Sequence, residues 1–239
     1  MDPVRESGLN AITFSFKCKA EMTYPEKRET KLLAVCVGMP REVIIAGKPV
    51  MTGIYKKPTE GRVRLRRHNL EGDGQADPDN HGGELKAAYA YPWEHYAFWA
   101  EKLGRDDLGP GKFGENFSVM GLSEESVIIG DIYRLGGAMV QVTDPRLPCF
   151  KLGHKLGDPA FPERFRAEGR LGFYMRVEQE GEVGAGDEII LLERGKCGIS
   201  IRRLWELVYS EARDPETAAR AAEHPLVCSS WRKKLLGST

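Results

Sequence analysis

Along most of its length the chain alternates apolar and polar positions in short runs, the period-2 signature of half-buried strands. Leu32 to Val37 is a continuous apolar run that reads as a buried strand. Arg41 to Val50 alternates and carries Gly47 and Pro49, a strand followed by a turn. In Gly61 to Leu65, Val63 and Leu65 share one face while Arg62, Arg64 and Arg66 share the other. Further strands are predicted at Phe117–Val119, Val127–Leu135, Met139–Thr143, Gly172–Glu178 and Glu188–Leu192. Glu71 to Gly83 reads as a long loop, and Met1 to Lys31 as an extension or peripheral hairpin of weak periodicity.

Helical spacing interrupts this pattern at Pro92 to Leu103. Pro92 suits the first helical position, Gly104 the residue after the last turn, and Trp93, Tyr96, Trp99 and Leu103 share a face. From Ser200 onward the pattern is helical. Ser200 caps a first helix with Ile201, Leu204 and Val208 inside, Asp214-Pro215 starts an alanine-rich second, and Ser229 or Ser230 starts a third with Trp231 and Leu235. Val127 to Leu135 and Val183 to Leu191 each place Gly-Asp ahead of an apolar run. That echo fits matched hairpin corners of a barrel, or two unrelated turns. The expected organisation is an extension over residues 1–31, a mainly β body over 32–194, and a small three-helix domain over 195–239.

Composition changes this picture little. Hydrophobic residues make up 41% and charged residues 29% of the 239, ordinary globular values. The formal net charge is zero, so nothing calls for nucleic acid or an anionic membrane as partner. No run approaches the ~18–20 apolar residues of a membrane span, and Ala11 to Phe16 is too short for a signal h-region, so a cytoplasmic protein is expected. The five cysteines are Cys18, Cys36, Cys149, Cys197 and Cys228, an odd count with no C-x-x-C spacing. This argues against a disulfide framework, a zinc ribbon or an iron–sulfur cluster. Redox chemistry here would need electrons from a separate donor.

The densest chemistry lies in Asp144 to Gly153, where Pro145 and Pro148 stiffen a loop directly after a predicted strand. Arg146 and Lys151 flank Cys149, and nearby positive charge favours the thiolate, the form that attacks and that binds soft metals. The alternative is a buried, inert cysteine. His81-Gly82-Gly83 with Lys86 offers a glycine turn that an anion can approach, or simply a tight turn. Asp73, Gln75, Asp77 and Glu84 fall at calcium-loop positions, but Pro78 stands where that loop needs glycine. Asn116, in Gly114-Glu115-Asn116-Phe117, can bridge backbone groups or a ligand's amide edge. The basic row Lys56, Arg62, Arg64 and Arg66 could grip a phosphate, although only one or two are expected to face a ligand. No G-x-S-x-G elbow, Walker loop or G-x-G-x-x-G is present.

Taken in order, these segments resemble the MOSC family, named for the C-terminal domain of molybdenum-cofactor sulfurase, and most closely its YiiM-like branch. The resemblance rests on Thr52 to Lys56, Gly72 to Asp77, His81-Gly82-Gly83 with Lys86, and Tyr89-Ala90-Tyr91-Pro92. It continues through Phe113 to Phe117, Gly130-Asp131, Pro145-Arg146-x-Pro148-Cys149 and Gly172-x-Tyr174-x-Arg176-Val177, over about Leu32 to Glu193. One departure is Leu85, where the branch has Asp before the basic residue.

The resemblance implies a closed, mixed-topology β-barrel related to the pyruvate-kinase insert domain, followed by the three-helix domain. It implies a molybdenum cofactor, a pyranopterin holding molybdenum, with Cys149 as thiolate ligand to the metal. The activity implied is reduction of N-hydroxylated compounds such as hydroxylaminopurines, a detoxifying reaction fed by a separate electron-donor protein. Pyridoxal phosphate binding is a further association of the family. Lys56, Lys86, Arg146, Lys151 and Arg176 are the expected cationic partners of the pterin phosphate, with Asn116 and His81 near the pterin or the substrate. The alternatives are a sulfur carrier bearing a persulfide on Cys149, and a non-enzymatic module that stores the cofactor.

Overall fold

In the computed structural model, residues 29–77, 82–211 and 213–237 are described. The first strands are β1 (Lys31–Val37), the hairpin β2 (Arg41–Ile45) and β3 (Lys48–Thr52), β4 (Lys57–Pro58) and β5 (Arg62–Leu65). A 3-10 turn at Glu84–Lys86 leads into β6 (Ala88–Pro92), α1 (Glu94–Leu103) and β7 (Phe117–Met120). Then come β8 (Ile132–Leu135), β9 (Ala138–Pro145), α2 (Phe150–Leu156) and α3 (Phe161–Glu168). The chain continues with β10 (Phe173–Gln179), β11 (Gly181–Gly184) and β12 (Ile189–Glu193), and ends with α4 (Ile201–Tyr209), α5 (Pro215–Glu223) and α6 (Ser229–Leu235). The protein is mainly β with helices, and no helix among the described residues is long and apolar enough to cross a membrane.

Eight strands form one mixed sheet in the order β12-β8-β9-β10-β6-β7-β1-β4, in which only β6 and β7 run parallel. The closed barrel implied by the resemblance is not formed, because the sheet ends in two edges. The chain on either side comes close to closing it. Leu32 N–H donates to Asp187 O at 2.9 Å, and Gly186 N–H to Leu32 O at 2.7 Å. Only an isolated bridge, Lys31 to Glu188, follows from these contacts. A bulge between Leu32 and Ala34 interrupts the pairing of β1 with β7, and the far end of β1 pairs with β4 on its other side. β5 pairs with β11 and β2 with β3 as separate two-stranded sheets.

The Gly-Asp echo is structural. Asp131 Oδ2 accepts from Ile128 N–H at 2.9 Å, and Asp187 Oδ2 accepts from Gly184 N–H at 2.8 Å. Gly130 and Gly186 both take φ near +90° (91° and 93°), which favours glycine. These like turns feed β8 and β12, which pair antiparallel. The turn consumes Val127 to Asp131, so the strand predicted over Val127–Leu135 shortens to Ile132–Leu135.

Two other expectations shift. Pro92 closes β6 rather than opening the helix, which starts at Glu94 and ends on Gly104 in the left-handed conformation, as the spacing indicated. Helices α2 and α3 were not anticipated. Gly153 lies inside α2, where glycine is a poor helix former. Its lack of a side chain lets the helix press on the next turn, since a Cβ there would sit 2.7 Å from Asp158 O.

The C-terminal helices start where their caps indicate. Ser200 accepts from Arg203 N–H at 3.0 Å, and Asp214 from the Glu216 and Thr217 amides. Their buried residues Leu204, Ala221 and Trp231 join the same apolar cluster as the sheet. Trp231 is fully buried and its indole N–H donates to Pro145 O at 2.6 Å, tying α6 to the end of β9.

Candidate functional site

Pro145 ends β9, and residues 146–149 lead from it into α2. Cys149 stands at that junction in extended conformation (φ −127°, ψ 171°), held there by Pro148 before it and the helix after it. Its side chain is partly exposed, whereas Cys36 is buried. Two adjoining cavities share Cys149 in their walls, one of about 90 Å³ and one of about 360 Å³. Asp77, Lys86, Lys151 and Tyr174 also line both.

The smaller cavity collects most of the residues singled out from sequence. Lys56, Lys86, Asn116, Arg146, Cys149 and Lys151 all line it. Four of these are cations, against the two carboxylates Asp73 and Asp77, so the lining is net positive. Its lining of four cations suits an anion. Gly53, Gly74 and Gly114 allow close approach in its wall, Gly53 against backbone and the other two against side chains. A Cβ on Gly53 would lie 2.5 Å from Gly74 O, and one on Gly114 2.7 Å from Ile54 Cγ1.

Asp73 organises this wall. Buried at 7% exposure, it accepts from Gly38 N–H at 2.9 Å, from the Lys56 ammonium and from Asn116 Nδ2 at 2.9 Å. Asn116 also donates to Cys36 O at 3.1 Å and accepts from Tyr89 N–H at 3.1 Å. Its side-chain bonds therefore go to the protein, and it acts by positioning Asp73 and β6. Arg146 is buried, donates to Phe113 O, and lies over the Tyr89 ring at 4.7 Å. Lys86 lies 5.6 Å from the centre of the Tyr174 ring. Burial pushes the Tyr89 and Tyr174 phenols well up, so both are protonated donors at neutral pH.

Behind α2, burial pushes Lys155 down to about 8, while the charge of Glu115 acts in the opposite sense. Its ammonium donates to Ile54 O at 2.7 Å and to Gly111 O, fixing α2 against the wall of the smaller cavity.

One expected residue falls elsewhere. Arg176 lies on β10 beside Glu178, with Nε 2.5 Å from Oε1, and lines neither cavity. His81 lies outside the described residues. Of the basic row only Lys56 reaches the site: Arg62 pairs with Asp187, Arg64 with Glu180 and Arg66 with Glu71. Leu85, the departure from the family pattern, packs against the apolar core, and its carbonyl accepts from Thr143 at 2.7 Å.

The sequence reading missed Asp73, Asp144, Tyr89 and Tyr174. Asp73 stands in the sequence as a calcium-loop position and as part of the Gly72 to Asp77 motif, and Asp144 heads the cysteine segment, but neither spacing marks a site role. Asp144 is fully buried and lines the larger cavity. Burial pushes its carboxyl up to about 6, against hydrogen bonds from Cys228 and the Lys86 charge.

The model of the MOSC domain matches residues 77–190. Protein YflK of Bacillus subtilis (strain 168) is 43% identical over 205 residues, covering 86% of this chain and 92% of that protein. A protein named "Reductase" from Gibberella moniliformis (strain M3125 / FGSC 7600) is 37% identical over 175 residues, 72% of this chain and 31% of that one. The crystal structure of YiiM from Geobacillus stearothermophilus superposes with a TM-score of 0.72 at 36% identity, covering 87% of this chain and 98% of that structure. With the domain model, the relatives' sequences and the shared fold in agreement, the chain belongs to the MOSC domain family.

Proposed function

We propose that this protein is a molybdenum-cofactor-dependent oxidoreductase that reduces N-hydroxylated compounds, with Cys149 as the protein ligand to molybdenum and a separate protein as electron donor. One observation carries the reading: the sulfur-bearing side chain lines two adjoining cavities, the smaller of which is rimmed by four cations. MOSC domains are associated with the molybdenum cofactor, and the fungal relative is named a reductase.

The residues present suit such a group. A thiolate is a soft ligand for molybdenum, and the lysine and arginine side chains match a terminal phosphate. The volume of the larger cavity, about 360 Å³, lies within the range of small-molecule sites. When bound, the cofactor would supply a redox-active metal able to accept the oxygen of an N–OH group. The chain's own part is to hold and enclose. Cys149 presents its sulfur from a junction stiffened by Pro148. Lys86, Lys151 and Arg146 attract and orient the phosphate. Asp73, braced by Asn116, fixes the Lys56 ammonium in the wall. Tyr174 lines the same wall, while the Tyr89 hydroxyl donates to Leu171 O at 2.6 Å and so fixes its ring beneath Arg146.

Elemental analysis of protein purified from its native host, wild type beside Cys149→Ser, tests this reading. Wild type is expected to carry molybdenum and the serine variant to lack it. Equal metal in both would remove the ligand assignment. A persulfide mass on Cys149 without metal would replace the reductase by a sulfur carrier.

A further inference from the structure

The β2–β3 hairpin has apolar residues on both faces and lends none of them to the core. Its pairing sets Glu42 beside Met51 and Ile44 beside Pro49 on one face, and Val43 beside Val50 on the other. Ile44 is 61% exposed and Met51 49%, while Val43, Ile45 and Val50 are half-buried. Among the described residues, Val37 before the hairpin and Tyr55 after it pack on the apolar cluster, and none of these five does. A two-stranded hairpin is marginal in water by itself, and an exposed apolar arm of this kind marks a protein contact. Both roots of the arm belong to the site. Gly38 N–H, just before β2, donates to Asp73, and Thr52, Gly53, Ile54 and Lys56, from the end of β3 onward, line the smaller cavity with Cys149. Met39 at the root is 66% exposed, and a Cβ on Gly74 in the cavity wall would sit 3.6 Å from its Cε.

Charge identifies the occupant. Between Met39 and Pro58 the chain carries Arg41, Lys48, Lys56 and Lys57 against Glu42 alone, in a protein whose formal net charge is zero. Lys56 is held by Asp73, but Arg41, Lys48 and Lys57 are exposed. Two copies meeting arm to arm about a two-fold axis would bring these cations together, which disfavours a homodimer at this place. An apolar patch framed by cations suits an acidic protein instead. We infer that the hairpin is the docking arm for an acidic electron-carrier protein, with Ile44, Pro49 and Met51 as its apolar contact and Arg41, Lys48 and Lys57 steering the approach. The inference rests on the proposed function. Converting N–OH to N–H takes two electrons from the carrier and two protons from solvent and releases water, and a carrier held on this arm delivers its electrons beside the cavity that Cys149 lines.

The test compares three electron donors on full-length, cofactor-loaded protein with 6-hydroxylaminopurine as substrate. They are an acidic [2Fe–2S] ferredoxin, a flavodoxin, and methyl viologen, a small donor that needs no docking arm. Ile44→Asp combined with Met51→Asp is expected to raise the KM for the protein carrier about tenfold, and to leave viologen-driven turnover and the thermal melt unchanged. Lys48→Glu should raise the same KM and flatten its salt dependence. Leu192→Asp, at an equally exposed apolar position on β12, should change neither. Calorimetric titration of the oxidised carriers should rank the variants in the same order without any turnover. Turnover with viologen but with neither protein, or unchanged carrier KM and affinity in the double variant, would overturn the docking arm and leave the reductase reading standing. No turnover with any donor, viologen included, would remove the reductase reading and this inference with it. A dimer in solution that the double variant dissociates would assign the hairpin to a second copy and overturn the inference.

Discussion

Asn116 Nδ2 donates to Asp73 Oδ2 at 2.9 Å, and through this bond the start of β7 holds the loop that walls the smaller cavity. The same side chain satisfies Cys36 O and Tyr89 N–H, so one amide ties β1, β6 and the Asp73 loop together. In Asn116→Ala all three groups lose their partner. Stability is expected to fall by about 2–4 kcal/mol, from the cost of buried unpaired groups. Urea denaturation should show a lower midpoint at unchanged slope. A loss under about 0.5 kcal/mol, the usual range for surface substitutions, would show that the amide is not a keystone.

Lys86 and Arg146 both line the smaller cavity but differ in what else they do. Lys86→Ala should weaken cofactor retention in a salt-sensitive way, because its contribution is a partly solvated charge. Arg146→Ala should weaken retention and also destabilise the fold by about 2–4 kcal/mol, because it leaves buried groups unpaired. The groups involved are Phe113 O and the covered face of the Tyr89 ring. Retention measured against added salt, beside thermal melts of both variants, separates the two roles. Equal stability of the two variants would contradict the assignment.

Asp144 should leave a mark on the pH dependence of stability. Its carboxyl is raised from 3.8 to about 6 on folding, so between these values the folded chain binds more protons than the unfolded one. Stability from this group therefore falls as pH rises through that window. At pH 7 the buried carboxylate costs on the order of 3 kcal/mol, and below about pH 4 it costs nothing. Asp144→Asn should be more stable than wild type at pH 7, with the gain vanishing under acid. A pH-independent difference would mean the carboxyl is not raised.

Trp231 is fully buried and bonded to Pro145 O. Trp231→Ala should cost about 3–5 kcal/mol from the cavity it leaves. Trp231→Phe, which keeps most of the bulk and loses the indole bond, should cost markedly less, on the order of 1–2 kcal/mol. If both variants unfold like wild type, α6 is not anchored on β9.

Much of the fold was legible because strands and capped helices announce themselves locally. Apolar and alternating runs located β1, β5, β9 and β10, and Ser200 and Asp214 marked the starts of α4 and α5. The two Gly-Asp turns were visible as a repeat because each uses its Asp on the amide three residues earlier. Helix α2 was hidden by Gly153, whose purpose is a long-range approach and not a local preference. Sheet closure was equally out of reach, since it depends on whether strand ends distant in the chain come to pair.

The sequence by itself determined that the cysteine segment stands after a strand, stiffened by prolines and flanked by positive charge, because those are properties of neighbours along the chain. Only the tertiary structure decided that Lys56, Lys86 and Asn116 meet Cys149 while Arg176 pairs with Glu178. Only it placed Asp144 in a buried wall completed by residues from α6. Burial and pairing are set by packing between distant segments, and no local pattern in the chain encodes them.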